Sequence, residues 1–176
     1  MVDQGTAVLR LCIAFGLSFV LGLERELRGQ VAGLRTHILV CLGACLFTLC
    51  SILAAHPLET GMPQEVRADI TRIASQVVVG IGFLGGGAIL RHGATIKGLT
   101  TAANLWLTAS VGLAVGLGYP VLAAATAGLS LVTLVGLRVL EHAIRRFRKK
   151  FRLVTEDKLA ARAKEEDGED MDREHE

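Results

Sequence analysis

Apolar residues along this 176-residue chain are gathered into five long segments separated by short polar stretches. A bilayer core is about 30 Å thick and takes roughly 20 apolar residues as a helix. Because lipid offers the backbone no hydrogen-bond partners, each crossing segment must be helical. The pattern therefore predicts an all-α, polytopic membrane bundle of about five transmembrane helices, over residues 6–23, 38–55, 70–90, 101–117 and 119–137.

The last two segments meet at Gly118-Tyr119-Pro120, a turn signal between helices. Residues 101–137 carry no charge, so a re-entrant hairpin with only four other spans is an alternative. We favour five spans because this uncharged length is about enough for two crossings. The first segment lacks a basic leader and a clear cleavage site, which indicates a retained span and not a signal peptide.

Charge divides the chain into a transmembrane domain, residues 1–137, and a polar tail, residues 138–176. The tail is basic over 138–153, which suits anionic lipid headgroups, and acidic over 156–176, which is typical of a solvated terminus. Only six Phe, one Tyr and one Trp are present, so there is no aromatic set for nucleic-acid bases. The lipid bilayer is thus the expected surrounding partner, and nucleic acid is not.

The distribution of basic residues predicts how the chain is oriented. Lys and Arg concentrate in residues 24–37, in residues 91–100 and after residue 137, whereas the loop on the opposite side has only Arg67. Basic loops stay in the cytoplasm. We therefore expect the N-terminus outside and the C-terminus in the cytoplasm of a bacterial inner membrane, which needs an odd number of spans.

Three polar residues enter the third segment at Asp69, Arg72 and Gln76, a spacing that places them on one helix face. A charge at the centre of a bilayer costs about 2.5–3.5 kcal/mol, and such groups usually mark a functional site. We therefore predict a functional intramembrane group here. The alternative is that the Asp69–Arg72 pair only fixes the position of the helix.

A second polar group gathers at the predicted cytoplasmic ends of the spans. Thr101 could cap the fourth helix, and Thr100 or Asn104 could bond to a neighbouring helix. Structural use and ligand binding both remain open for this cluster. The first segment ends with Glu24, Arg25 and Glu26, the second opens with Arg35, Thr36 and His37, and the fourth opens with Thr100, Thr101 and Asn104. The candidate site residues among them are Glu24, Arg25, Arg35, Thr36, Thr100 and Asn104.

Gly80 to Gly85 matches G-x-G-x-x-G, but it lies in an uncharged span without the acidic ribose partner that a dinucleotide site needs. The glycines are better explained by helix packing, because small residues four apart let two helices approach closely. The predicted packing pairs are Gly82 with Gly86 and Gly112 with Gly116.

Cysteine and histidine patterns indicate neither a metal site nor a cofactor. The four cysteines lie inside predicted spans, and the Cys41–Cys45 spacing is neither a redox nor a zinc motif. The five histidines are scattered along the chain. We therefore expect no cofactor, no catalytic residues and no enzyme activity, and the sequence leaves any bound metal unknown.

Several motifs together resemble the membrane domain of the MgtC/SapB family over about residues 6–137. They are Leu21-Gly-Leu-Glu-Arg-Glu26, Ala32-Gly-Leu-Arg-Thr-His37, Asp69-Ile-Thr-Arg-Ile-Ala-Ser-Gln76, Gly80-Ile-Gly-Phe-Leu-Gly85 and Lys97-Gly-Leu-Thr-Thr-Ala-Ala-Asn-Leu-Trp106. MgtC-type members add a folded cytoplasmic domain, whereas this chain has a short polar tail and is more similar to the SapB type. Gln30 also stands where a basic residue is common.

The resemblance implies a role in magnesium or ion homeostasis and in stress or virulence adaptation, with Asp69 as the family's intramembrane acidic residue. It also implies regulation of another membrane complex, such as the ATP synthase. The alternative is a cation or proton transporter or channel that uses Asp69. A homo-oligomer is compatible with either hypothesis.

Overall fold

The structure is a computed structural model that describes residues 2–59, 70–92, 95–138, 140 and 144, without the side chains of 55–59, 70–74 and 92. Five helices and one short hairpin form its described part. The helices are α1 (Gln4–Leu27), α2 (Leu34–Glu59), α3 (Ile70–Gly87), α4 (Leu99–Leu117) and α5 (Pro120–Arg138). Strands β1 (Leu90–His92) and β2 (Thr95–Lys97) pair antiparallel between α3 and α4. The predicted all-α bundle is confirmed.

Four of these helices, α1, α2, α4 and α5, contain stretches long and apolar enough to cross a membrane. In α3 the stretch with described side chains, Ser75–Gly87, is also apolar. The chain is therefore a multi-pass helical protein.

The third helix ends earlier than the sequence predicts. The predicted segment ran to residue 90, but α3 stops at Gly87 and Leu90 already belongs to β1. Three consecutive glycines, Gly85 to Gly87, weaken the last helical turn because glycine has the greatest backbone freedom to lose. Gly98 follows the hairpin at φ 90°, with the Ala88 carbonyl so close that a Cβ would overlap it.

Helices α2 and α4 lie at the centre of the compact unit formed by residues 1–131. The main core joins four helices through small and branched side chains, and α3 packs on α2 and α4 through Ile81. The buried members of the main core are Ala14, Leu21, Cys41, Cys45, Leu49, Val111, Val115, Ala123 and Ala127. A second unit comprises residues 132–176, and most of the predicted tail lies outside the described residues.

The predicted turn between the last two spans is confirmed. Gly118 takes φ 95°, a left-handed conformation that suits glycine. The Tyr119 N–H donates to the Ala114 carbonyl (2.8 Å) and the Gly118 N–H to the Val115 carbonyl (3.0 Å), as in a Schellman motif. Pro120 then opens α5, where its missing N–H costs nothing.

Two polar contacts lie near the start of the first helix. The Thr6 N–H donates to Asp3 Oδ1 (3.1 Å) and caps the start of α1. Hydrogen bonds from Thr6, first from its side chain and then from its backbone, hold the pKa of Asp3 below its usual value. Further along, Arg10 Nη1 donates to the Gly116 carbonyl (2.7 Å), so an arginine of α1 binds the C-terminal end of α4.

Candidate functional site

The polar residues at one end of the bundle form one ion-paired group and one hydrogen-bonded group, which together we call the polar girdle. It consists of Glu24, Arg25, Arg28, His37, Asn104 and Ser130. Its members come from α1, the loop that follows, α2, α4 and α5, and they lie within the unit of residues 1–131.

At the centre of the girdle, three buried side chains join three helices. Asn104 Nδ2 lies 2.8 Å from His37 Nε2, and the Ser130 hydroxyl donates to Asn104 Oδ1 over 3.1 Å. The side chains of His37, Asn104 and Ser130 are all buried. The prediction that Asn104 bonds across to a neighbouring helix is therefore confirmed, and its two partners are α2 and α5.

The direction of these hydrogen bonds defines the state of the histidine. His37 Nδ1 lies 2.8 Å from the Gly33 carbonyl, which can only accept, so Nδ1 carries the proton. The Asn104 amide donates to Nε2, which therefore accepts, and the ring is neutral. Each polar atom in the chain from Ser130 through Asn104 to His37 thus has a partner, as a buried network requires.

The charged residues of the girdle lie at the end of α1 and at the start of the loop that leads to α2. Arg25 is only 1% exposed and, like Arg28, it forms an ion pair with Glu24. Arg25 Nη2 has no hydrogen-bond partner among the described residues. The carboxylate of Glu24 thus offsets the positive charge of two arginines. One of them, Arg25, is as buried as a leucine of the core.

Glu26 joins the same loop to the start of α2. Its Oε2 accepts from the Leu34 N–H (2.9 Å), so a carboxylate caps the helix where the dipole favours negative charge. Gly33 leaves room for this carboxylate, because a Cβ there would overlap Oε2. Gly22 brings α1 onto α2 in the same way, since its Cβ would lie 2.9 Å from Leu34 Cα.

The remaining members of the predicted cytoplasmic cluster are not brought into this network. Arg35 and Thr100 are exposed, and Thr36 is half-buried. The prediction that Thr101 caps α4 is wrong, because Gly98 holds the cap position and Thr101 is 2% exposed inside the helix. The cluster therefore divides into a buried structural part and an exposed part.

One of the two predicted glycine pairs forms a helix crossing, and the other does not. A Cβ at Gly112 would overlap the Cys41 carbonyl, and one at Gly116 would lie 2.7 Å from Thr48 Cβ. By contrast, a Cβ at Gly82 or Gly86 would meet nothing within 4 Å. The prediction of close packing at Gly82 and Gly86 is thus wrong for the described chain, because that face of α3 points away from α2 and α4.

The predicted intramembrane group is only partly described. Asp69 lies outside the described residues, and the Arg72 side chain does too, although its backbone belongs to α3. Gln76 is exposed and lines an apolar groove between α2 and α3. The G-x-G-x-x-G stretch lies wholly within α3 and not at a strand-to-helix turn, which removes the dinucleotide hypothesis.

Sequence reasoning placed His37 in the polar group but did not pair it with Asn104, and it missed Ser130. The available signal for the contact was a histidine at the start of one apolar span and an asparagine at the start of another. Among the described residues, no group of three or more His, Cys, Asp or Glu could hold a metal ion.

Comparison with known proteins identifies the family. Residues 11–143 match the MgtC family. The chain is 46% identical over 117 residues to the Synechocystis protein slr0014, covering 66% of this chain and 46% of that protein. It is 44% identical over 112 residues to the Escherichia coli K12 "Putative magnesium transporter YhiD", covering 63% and 51%.

Protein MgtC of Salmonella typhimurium LT2 is 44% identical over 111 residues, which cover 63% of this chain and 43% of that protein. The chain spans about half the length of these curated relatives. No solved structure matches it. The family match over most of the chain confirms the resemblance drawn from the motifs, and this multi-pass membrane protein belongs to the MgtC family.

Proposed function

We propose that this protein serves magnesium homeostasis and stress adaptation in the bacterial inner membrane by regulating another membrane complex. The names of two relatives, MgtC and putative magnesium transporter YhiD, support the connection with magnesium. The observation that carries the regulatory role is the tight α2–α4 contact at the centre of the bundle. There Gly112 and Gly116 bring α4 against the backbone carbonyls of Cys41 and Cys45.

This contact favours a scaffold over a transport path. Moving an ion between α2 and α4 would require separating two helix backbones that touch at two successive turns. It would also require breaking the bonds of Asn104 to His37 and Ser130, which leave no polar atom of that chain free for an ion. A rigid centre with exposed charges such as Arg35 at its rim suits a protein that presents surfaces to a partner.

Flux in liposomes separates regulation from transport. We expect the purified full-length protein to give no magnesium or proton flux above that of empty liposomes. In membranes it should co-purify with another complex, for which the ATP synthase is the partner that the family resemblance implies. A flux that is lost in Asp69→Asn would instead establish the transporter hypothesis.

Asp69 is the residue we propose for the functional contact, together with Arg72 three positions further along the sequence. We predict that Asp69→Asn abolishes growth complementation in low magnesium at unchanged protein abundance, because asparagine keeps the shape but not the charge. Asp69→Glu should retain part of the function. If abundance and activity fall together, the pair serves only to position α3, and full complementation by Asp69→Asn would remove Asp69 from the site.

We also propose that the N-terminus lies outside and the C-terminus in the cytoplasm, because the basic loops favour one side. Reporter fusions after Gly61 and after Lys150 should then report opposite sides of the membrane. Fusions that both report the same side would contradict this orientation and the five-span topology together.

A further inference from the structure

The hairpin between α3 and α4 exposes every side chain that the structure describes in it. These are Leu90 and Arg91 of β1 and Thr95, Ile96 and Lys97 of β2. Leu90 and Ile96 are 45% and 56% exposed. A single two-stranded hairpin is marginally stable in water, so it gains from a surface on which its apolar side chains can pack. The described bundle does not supply that surface.

The base of the hairpin is held against the bundle. Gly98 lies so close to the Ala88 carbonyl that a Cβ would overlap it. Ala88 is buried together with Leu105 of α4 and with Ala32, which belongs to the loop between α1 and α2. Because α1, α2 and α4 each contain a stretch able to cross a membrane, a hairpin beside their ends lies at the surface of the bilayer.

The strand register gives both faces of the hairpin the same two kinds of side chain. Leu90 lies opposite Lys97, and Arg91 lies opposite Ile96. Successive residues of a strand point to opposite faces, so each face carries one aliphatic side chain beside one cation. Residues 88–98 include no acidic residue. At a membrane surface, aliphatic side chains enter the boundary with the acyl chains, while long cationic side chains reach the phosphates above it.

We propose that this hairpin docks on the headgroup layer of anionic phospholipids and binds their phosphate groups through Arg91 and Lys97. Leu90 and Ile96 insert at the boundary between headgroups and acyl chains. The net negative charge of such a leaflet complements the two cations, whereas a zwitterionic leaflet offers no net charge. The docking requires only that the bundle spans a membrane, so it is independent of the regulatory role and of the orientation proposed above.

Acrylamide quenching of a fluorophore on the hairpin tests the docking in nanodiscs that hold one copy of the full-length protein. The label is attached at Thr95→Cys after the exposed cysteines are replaced, Cys12→Ser and Cys50→Ser, because Cys41 and Cys45 are fully buried. Acrylamide is neutral, so the charge of the lipid does not change its concentration at the surface.

The wild-type hairpin should be shielded more strongly by anionic lipid. Each cation near an anionic surface favours the docked state about fivefold, so two cations favour it roughly thirtyfold. We expect quenching at least threefold weaker in an equal mixture of phosphatidylcholine and phosphatidylglycerol than in phosphatidylcholine alone. High salt should reduce this difference, because it screens exposed charges.

Substitutions separate the contribution of charge from that of the fold. Arg91→Gln combined with Lys97→Gln should abolish the difference between the two lipid compositions, and Lys97→Gln alone should leave a smaller one. Arg91→Lys combined with Lys97→Arg is the matched control, because it keeps both charges and should behave like the wild type. Both positions are exposed, and the basic tail is the same in every variant.

A label at Gln4→Cys provides the comparison at the opposite end of α1, where Gln4 is also exposed. Its quenching should be equal in the two lipid compositions. The proposal is overturned if the hairpin label is quenched equally in both compositions, or if the double glutamine variant keeps the wild-type difference. Shielding by a second copy is excluded, because each disc holds one.

Discussion

Gly112→Ala should lower the free energy of unfolding by about 2 kcal/mol, although alanine is the better helix former. The gain in helix propensity is about 1 kcal/mol, whereas overfilling a packed contact costs about 1–3 kcal/mol and occasionally more. The cost is at the upper end here, because the new methyl group would overlap the Cys41 backbone carbonyl and lie 3.0 Å from Ala44 Cβ. The steric cost of the new methyl group therefore exceeds the gain in helix propensity.

Gly82→Ala is the control for this prediction. Gly82 is also inside an apolar helix, but its Cβ would enter open space, so only the propensity term remains. Titration of the purified protein with a denaturing detergent, followed by circular dichroism, gives both values. Equal stability of the two variants would show that α2 and α4 can separate at little cost.

Asn104→Leu should destabilise the protein by about 2–3 kcal/mol. Leucine has a similar size, so the change removes two hydrogen bonds without opening a large cavity. It leaves His37 Nε2 and the Ser130 hydroxyl buried without their partner, and an unsatisfied buried polar group costs about 1–3 kcal/mol. Polar contacts within membranes average nearer 0.6 kcal/mol, which keeps the expected total below the sum of two full penalties.

A double-mutant cycle with His37→Leu isolates the central contact. If the two side chains bond as described, removing both should cost less than the sum of the single changes by about 1 kcal/mol. Thr126→Val serves as the control for loss of a hydroxyl that makes no contact between helices, because the Thr126 hydroxyl is bonded only to Leu122 of its own helix. Simple additivity of His37→Leu and Asn104→Leu would show that the contact contributes nothing to stability.

The glycine pairs show where sequence reasoning reaches its limit. Gly82–Gly86 and Gly112–Gly116 have the same spacing, yet only the second pair lies in a helix crossing within this chain. Spacing identifies residues that share a face, but the direction of that face depends on how all the helices assemble. The same reason explains Asn104, for which a bond across helices was predicted but neither partner was.

The early end of α3 has a different explanation. The apolar run continues to Leu90, so hydropathy alone extends the span, whereas the three glycines before Ala88 and the close approach of Gly98 end the helix. Such a backbone contact joins positions ten residues apart and leaves no periodic signal. The helices, the turn at Gly118 and the family were accessible from the sequence because each rests on a local pattern.

The bond between Arg10 and the Gly116 carbonyl links positions 106 residues apart and therefore bears on biogenesis. When the ribosome releases the first helix, the acceptor of its arginine has not been synthesised. The side chain of Arg10 can make this bond only once α4 has been synthesised and packed beside α1.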